Sequence, residues 1–198
     1  MNTQVTPLFS APLYTTVIDL DQCPQLDTVE YTYRKTQEVI GDNYISRNDH
    51  ILHTPEWSHI NTQCADHVER YFREVMGASH NVDIQITNSW VNKYTANQSH
   101  QRHSHPNSVI SSALFFVDHD SNLEFYHPRP SEIDFDRTEF TPLNSRTWAV
   151  KPQAGLLVLF PSWLEHRATT VTTDKTRYSL SFDTQITGTL EVDPFRNE

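Results

Sequence analysis

The sequence predicts an α+β fold in which a helical N-terminal part supports a double-sheet jelly roll or barrel. Three observations predict it. Apolar residues recur three or four apart between Trp57 and Val75, the spacing of one helix face. From Val82 the period changes to two. Short β-branched and aromatic runs then alternate with turn residues as far as Asp183. The 198 residues are read as one domain, 1–198, with 1–80 mainly helical and 82–183 forming the jelly-roll core.

Taken in order, Leu8-Phe9 and Tyr14-Thr15-Thr16-Val17-Ile18 are short strand candidates between Pro7, Pro12 and polar residues. A helix is expected from Gln25 to Ile40, with Leu26, Val29, Tyr33 and Gln37 on one face and Gly41-Asp42-Asn43 as its stop. Asp42 to Thr54 reads as a polar loop. The clearest helix follows. Thr54 is a candidate N-cap, Pro55 suits the first helical position, and Glu56 complements the dipole. Trp57, Ile60, Cys64, Val68, Tyr71, Phe72 and Val75 form its apolar face, and Gly77 is a natural stop.

Beyond it, Ile84, Ile86, Asn88, Trp90, Asn92 and Tyr94 are expected on one strand face, with Gln85, Thr87, Ser89, Val91 and Lys93 on the other. Ser108 to Val117 and Leu156 to Phe160 read as buried strands. Asn122 to Tyr126, Thr147 to Val150 and Arg177 to Asp183 complete the set. Residues 127–146 read as loop.

Composition narrows the function classes. The formal net charge is -10, which argues against a surface that coats nucleic acid. No run approaches the roughly 18 apolar residues of a membrane span. Met1-Asn2-Thr3-Gln4-Val5 lacks a basic region followed by an apolar core, so no signal peptide is expected. Cys23 and Cys64 lack metal-type spacing; free thiols in a cytoplasmic protein are the expectation, with one disulfide left open.

The residues with chemistry lie in three pieces. His103 and His105 are one residue apart, so on a strand they project together with Ser104 turned away. His166 follows the end of another strand, where a loop can bring it to the same rim. Three imidazoles suit Fe, Zn, Cu or Ni, and positions left open imply chemistry. In a chain with 11 histidines, such a doublet also arises by chance. His100 is a competitor, as a neighbour of the site or as a surface residue. Arg177 opens the last strand with Ser179 on its face, and a guanidinium there can hold a carboxylate through two parallel hydrogen bonds. The tryptophans Trp90, Trp148 and Trp163 are assigned first to the core.

These residues resemble the Fe(II)- and 2-oxoglutarate-dependent oxygenases, and within them a group of small oxygenases common in phage and bacterial genomes. The resembling segments run from 89 to 183. They are Ser89-Trp90-Val91-Asn92, His103 to Ser108, Leu123-Glu124-Phe125 with His127-Pro128-Arg129, Pro152-Gln153-Ala154-Gly155, and Leu159 to His166 through Arg177 to Phe182. The resemblance implies a double-stranded β-helix, a jelly-roll type. It also implies Fe(II) and 2-oxoglutarate as cofactors, molecular oxygen as co-substrate, and a hydroxylase activity. His103 matches the first ligand, His166 the distal one, and Arg177 the anchor for the far carboxylate of 2-oxoglutarate. Asn92-Lys93-Tyr94, with Asn92 eleven residues before His103, matches an Asn-x-Tyr of the alkylation-repair branch, which places Asn92 and Tyr94 on 2-oxoglutarate.

One position departs from the pattern. His105 stands where the motif carries Asp or Glu. The iron centre is then three histidines, or a carboxylate such as Asp118, Asp120 or Glu124 joins it, or the metal is bound without the usual reaction. The three-histidine centre of His103, His105 and His166 is the reading adopted. The substrate expected is peptidyl or a small molecule rather than nucleic acid, and the location cytoplasmic (the host cytoplasm for a phage-encoded protein). The alternatives are a cupin-like three-histidine dioxygenase or isomerase without 2-oxoglutarate, and a non-catalytic phage accessory protein.

Overall fold

The computed structural model describes residues 3–35, 41–130, 133 and 135–188. In chain order its strands are β1 (Tyr14–Val17), β2 (Tyr31–Lys35), β3 (Gly41–Ser46), β4 (Val82–Tyr94), β5 (Ser99–His103), β6 (Ile110–Phe115), β7 (Leu123–Tyr126), β8 (Thr147–Val150), β9 (Leu156–Pro161), β10 (His166–Ala168) and β11 (Arg177–Gly188). All pairings between them are antiparallel. The order is β1-β9-β6-β11-β4-β3-β5-β10-β7-β8, with β2 paired to β3. This is the rolled double sheet of a jelly roll. The corner is β3, which pairs Tyr44 and Ile45 with β4 and Gly41 and Asp42 with β5.

The predicted helix at 54–76 forms. α1 (Ser58–Arg70) is preceded by a 3-10 turn at Pro55–Trp57 and runs into a π turn at Tyr71–Val75, and Gly77 follows with φ 70°. Thr54 does not cap it; its hydroxyl donates to the Ile51 carbonyl instead. Ile60, Cys64, Val68, Tyr71 and Phe72 are buried and pack with Val91, Leu114, Leu157, Leu180 and Phe182 of the larger sheet. Burying each such side chain contributes about 1.5–3 kcal/mol. Arg73 ties the helix end to β4, donating to the Ser79 and Val82 carbonyls and pairing with Glu69.

Three expectations are corrected. The first concerns the helix at 25–40. Leu26–Thr28 is a single 3-10 turn, and Tyr31–Lys35 is strand β2; residues 36–40 lie outside the described residues. Tyr-Thr-Tyr favours a pleated surface, and pairing of Tyr31 with Ser46 and Tyr33 with Tyr44 wins over the helical spacing. The described residues of the first eighty therefore supply three strands and one α-helix rather than mainly helices, and the loop expected from Asp42 to Thr54 begins instead within β3, which β2 pairs into strand. The second is Leu8-Phe9, which forms no strand; both side chains are exposed.

The third concerns β4. Phe182 pairs with Ser89 and Thr184 with Ile86, so Thr87 and Asn88 together oppose Asp183. This is a β-bulge, and it inverts the parity of the strand. Before it, Val82, Ile84 and Ile86 pack into the core with α1. After it, Val91 faces that core while Trp90, Asn92 and Tyr94 face the space between the sheets. A single face running from Ile84 to Tyr94 does not exist.

Candidate metal centre

Two of the histidines are set by one ladder. His103 of β5 pairs directly with His166 of β10, and their ring centroids lie 4.3 Å apart. His105 lies just beyond β5, not on it. Its backbone N–H donates to the Ser162 carbonyl at 2.9 Å, and Pro106-Asn107 turns the chain there, Asn107 taking φ 66°. Proline fixes φ and asparagine tolerates the left-handed region, which explains both residue types. The turn is held further by hydrogen bonds joining the hydroxyls of Ser108, Ser111 and Ser162. As a result, one ligand-capable atom of each of His103, His105 and His166 lies within 4.8 Å of the other two.

The hydrogen bonds of these rings fix their tautomers. His103 Nδ1–H donates to the Gln101 carbonyl at 2.8 Å, and His166 Nδ1–H to the Leu164 carbonyl at 3.0 Å. His105 Nδ1–H donates to Asp183 Oδ1 at 2.7 Å. Carbonyl and carboxylate oxygens only accept, so all three protons sit on Nδ1 and Nε2 is left as the ligand atom. Metal-binding histidines are typically oriented this way. Burial pulls His103 down to about 4, opposed by the Gln101 carbonyl and reinforced by His105 and Arg34, so its ring is neutral at pH 7. Burial holds His166 well below its ordinary value too. This donor set fits a metal ion.

The carboxylates considered as a third ligand are engaged elsewhere. Asp118 accepts from the Ala154 N–H, Asp120 pairs with Lys151, and Glu124 pairs with Arg167.

β4 and β11 build the wall beside the histidines. Tyr94 pairs with Arg177 and Asn92 with Ser179. His103, His105, His166, Arg177, Asn92, Tyr94 and Ser179, the seven residues singled out in the sequence, all line one cavity. Arg177 is 2% exposed, and its Nε and Nη1 have no hydrogen-bond partner among the described residues. Its guanidinium stacks over Tyr94 at 5.0 Å and Phe115 at 5.3 Å. A buried cation with open donors is a receptor for an anionic group. Asn92 donates to Ser181 and accepts from Asn43, so its amide is already committed within the wall.

His100 is not a surface residue. It is buried, stacks on His103 with centroids 4.2 Å apart, and leaves Nε2 without a partner among the described residues. Of the tryptophans, Trp90 lines the cavity and lies nearly parallel to His105, at 6.0 Å and 17°. Trp148 and Trp163 are exposed, 40% and 55%, and are not core. Sequence reasoning missed Asp183 and Arg34. Asp183 was within reach, since the alternation 177, 179, 181 continues to it. Arg34 sits on β2, where a helix was expected; its Nε and Nη2 are buried without a partner among the described residues, and its charge reaches His100, His103 and Tyr94. Cys23 and Cys64 are free thiols.

A jelly roll with a histidine cluster beside a buried arginine has the side chains to hold a metal ion next to an anionic ligand. Residues 88–183, just under half of the chain, match the family model described as "Putative 2OG-Fe(II) oxygenase". Similar solved structures share its fold. HygX from Streptomyces hygroscopicus, with nickel, 2-oxoglutarate and hygromycin B bound, is 9% identical with a TM-score of 0.60, covering 95% of this chain and 91% of its own. A Pseudomonas putida prolyl-4-hydroxylase is 17% identical with a TM-score of 0.56, covering 86% and 91%. The non-heme alpha ketoglutarate dependent epimerase SnoN from nogalamycin biosynthesis is 14% identical with a TM-score of 0.57, covering 87% and 77%. No curated protein sequence matches. The family matched is one of Fe(II)- and 2-oxoglutarate-using oxygenases, and the matched segment carries His103, His105, His166 and Arg177. No helix among the described residues is long and apolar enough to cross a membrane.

Proposed function

We propose that the chain acts as one oxygenase-like domain that hydroxylates a C–H bond of a peptidyl or small-molecule substrate. Fe(II) is held by Nε2 of His103, His105 and His166. The far carboxylate of 2-oxoglutarate is held by Arg177, with Tyr94 and Ser179 beside it and Asn92 supporting the wall. When bound, Fe(II) and 2-oxoglutarate supply the oxygen activation that the protein's own side chains lack.

The chain's residues supply placement. The Gln101 and Leu164 carbonyls and the Asp183 carboxylate keep each imidazole proton on Nδ1 and so keep Nε2 free. Arg177 offers a buried guanidinium charge with unpartnered Nε and Nη1 donors, a complement to a carboxylate. Ala113, Leu123 and Phe160 wall the site with apolar surface and limit access of water. The net charge of -10 favours a substrate other than a nucleic acid.

The observation that carries the reading is the conjunction, in one cavity, of three imidazoles presenting Nε2 and a buried arginine with open donors. It is tested by adding 2-oxoglutarate to the Fe(II)-loaded protein without oxygen. A weak visible charge-transfer band is expected, followed by oxygen-dependent succinate formation. Iron binding with neither band nor succinate would favour a three-histidine metalloprotein that does not use 2-oxoglutarate.

A further inference from the structure

Resting on the metal-centre reading above, the structure leaves one chemical gap: three neutral imidazoles bring no negative charge, where the superfamily's motif brings one carboxylate. We propose that Asp183 fills it as a positioning residue. It orients His105 and, through that imidazole, supplies the charge that a directly ligating carboxylate would bring.

Several observations converge on this residue. Asp183 Oδ1 accepts from His105 Nδ1–H at 2.7 Å, and the two side chains are only 21% and 10% exposed. Shielding from water strengthens such a charge-assisted bond. The corresponding bonds of His103 and His166 go to backbone carbonyls, so among the described residues Asp183 is the carboxylate bonded to the triad. Asp183 also has no Lys or Arg partner among the described ion pairs. Its charge is therefore committed to the imidazole.

The remaining observations concern how the pair is built. Asp183 continues the face of β11 that carries Arg177, Ser179 and Ser181 into the cavity. It sits opposite the bulge at Thr87 and Asn88, and Thr87 Oγ1 donates to its backbone carbonyl at 3.2 Å. Bulges beside active sites commonly re-aim side chains. Trp90 lies against the ring of His105 and restricts its plane. The imidazole is thus fixed from the indole side and from the carboxylate side.

The test separates charge from geometry. Asp183→Asn keeps an oxygen that can accept the Nδ1 proton but removes the charge; Asp183→Ala removes both. Co(II) affinity is measured by competition with a coloured chelator. For the Fe(II) protein, the Fe(III)/Fe(II) potential and the position of the anaerobic 2-oxoglutarate band are measured. Expected for Asp183→Asn are a ten- to hundred-fold weaker Co(II) affinity, the scale typical of lost carboxylate partners of ligating histidines, a higher potential, and a band at shorter wavelength. Asp183→Glu, which restores the charge, is expected to recover part of the affinity; it also serves if the asparagine variant does not fold. Asp183→Asn matching the unaltered protein in all three readouts overturns the proposal, as does Asp183→Glu no better than Asp183→Ala. If the unaltered protein itself binds no Co(II), the metal-centre reading fails and the proposal with it; a metal-binding protein indifferent to Asp183→Asn refutes the proposal alone.

Discussion

Replacing Arg177 by methionine should move stability and cofactor binding in opposite directions. In the ligand-free protein its Nε and Nη1 are buried without hydrogen-bond partners among the described residues. Each unsatisfied polar group of this kind costs about 1–3 kcal/mol. The ring faces of Tyr94 and Phe115 offset part of that, about 0.5–2 kcal/mol each. The net burden is about 1 kcal/mol. A methionine of similar length removes it, so the cofactor-free variant should melt about 2–4 °C higher for a chain of this size. With metal and 2-oxoglutarate present at about 100 times its Kd, the unaltered protein gains about 2.7 kcal/mol. The variant has lost a buried charge pair worth about 2–5 kcal/mol and should gain almost nothing. Arg177→Lys keeps a point charge but loses the fork, and should bind 2-oxoglutarate about ten- to hundred-fold more weakly. The assay is thermal unfolding with Mn(II), with and without 2-oxoglutarate. A methionine variant that keeps the full 2-oxoglutarate shift removes Arg177 from the cofactor site. One that melts several degrees lower without cofactor shows the guanidinium to be a structural member of the wall.

Two further expectations concern the fold. His103 titrates near 6.5 when unfolded but at about 4 in the fold, so between those values the unfolded chain binds more protons. Its contribution is complete above pH 6.5 and is lost as pH falls through about 4. Urea unfolding of the metal-free protein should therefore show stability declining by up to about 3 kcal/mol from this group across that window; a flat profile contradicts a buried neutral imidazole. Gly155 has φ 81°, and an added Cβ would stand 2.8 Å from the Ile18 carbonyl oxygen. Gly155→Ala should lower the denaturant midpoint by the equivalent of about 1–3 kcal/mol, and an unchanged midpoint would mean that the β1–β9 connection yields freely.

The candidate site was largely legible because its residues are chemically conspicuous. A histidine doublet, a distal histidine and a strand arginine keep their meaning without knowledge of the fold, and all line one cavity. The helix at 58–70 was legible for a similar reason, since its apolar spacing has one simple solution. The failures share a physical cause: pairing between distant segments overrides local pattern. Tyr31 to Lys35 took the strand conformation because Gly41 to Ser46 lies alongside it. Arg34 was lost with that error. The two-residue bulge in β4 has no local signature, since Thr87 and Asn88 look like any alternating pair until β11 is laid beside them. Asp183 was passed over for another reason. A carboxylate that bonds His105 rather than the metal carries no ligand spacing of its own in the sequence.

The bulge at Thr87 and Asn88 divides β4 into two provinces with separate duties. Val82, Ile84 and Ile86 answer to the helix layer, whereas Trp90, Asn92 and Tyr94 answer to the cavity. Variation in the first province can retune robustness without touching recognition, and variation in the second can reshape recognition over a constant foundation. Residue identity is thus free to drift on either side while the junction holds the two faces in register. Removing Thr87 or Asn88 would leave the isoleucines on the core and the asparagine on the cavity, but would turn the junction into a regular ladder and lose the local twist opposite Asp183.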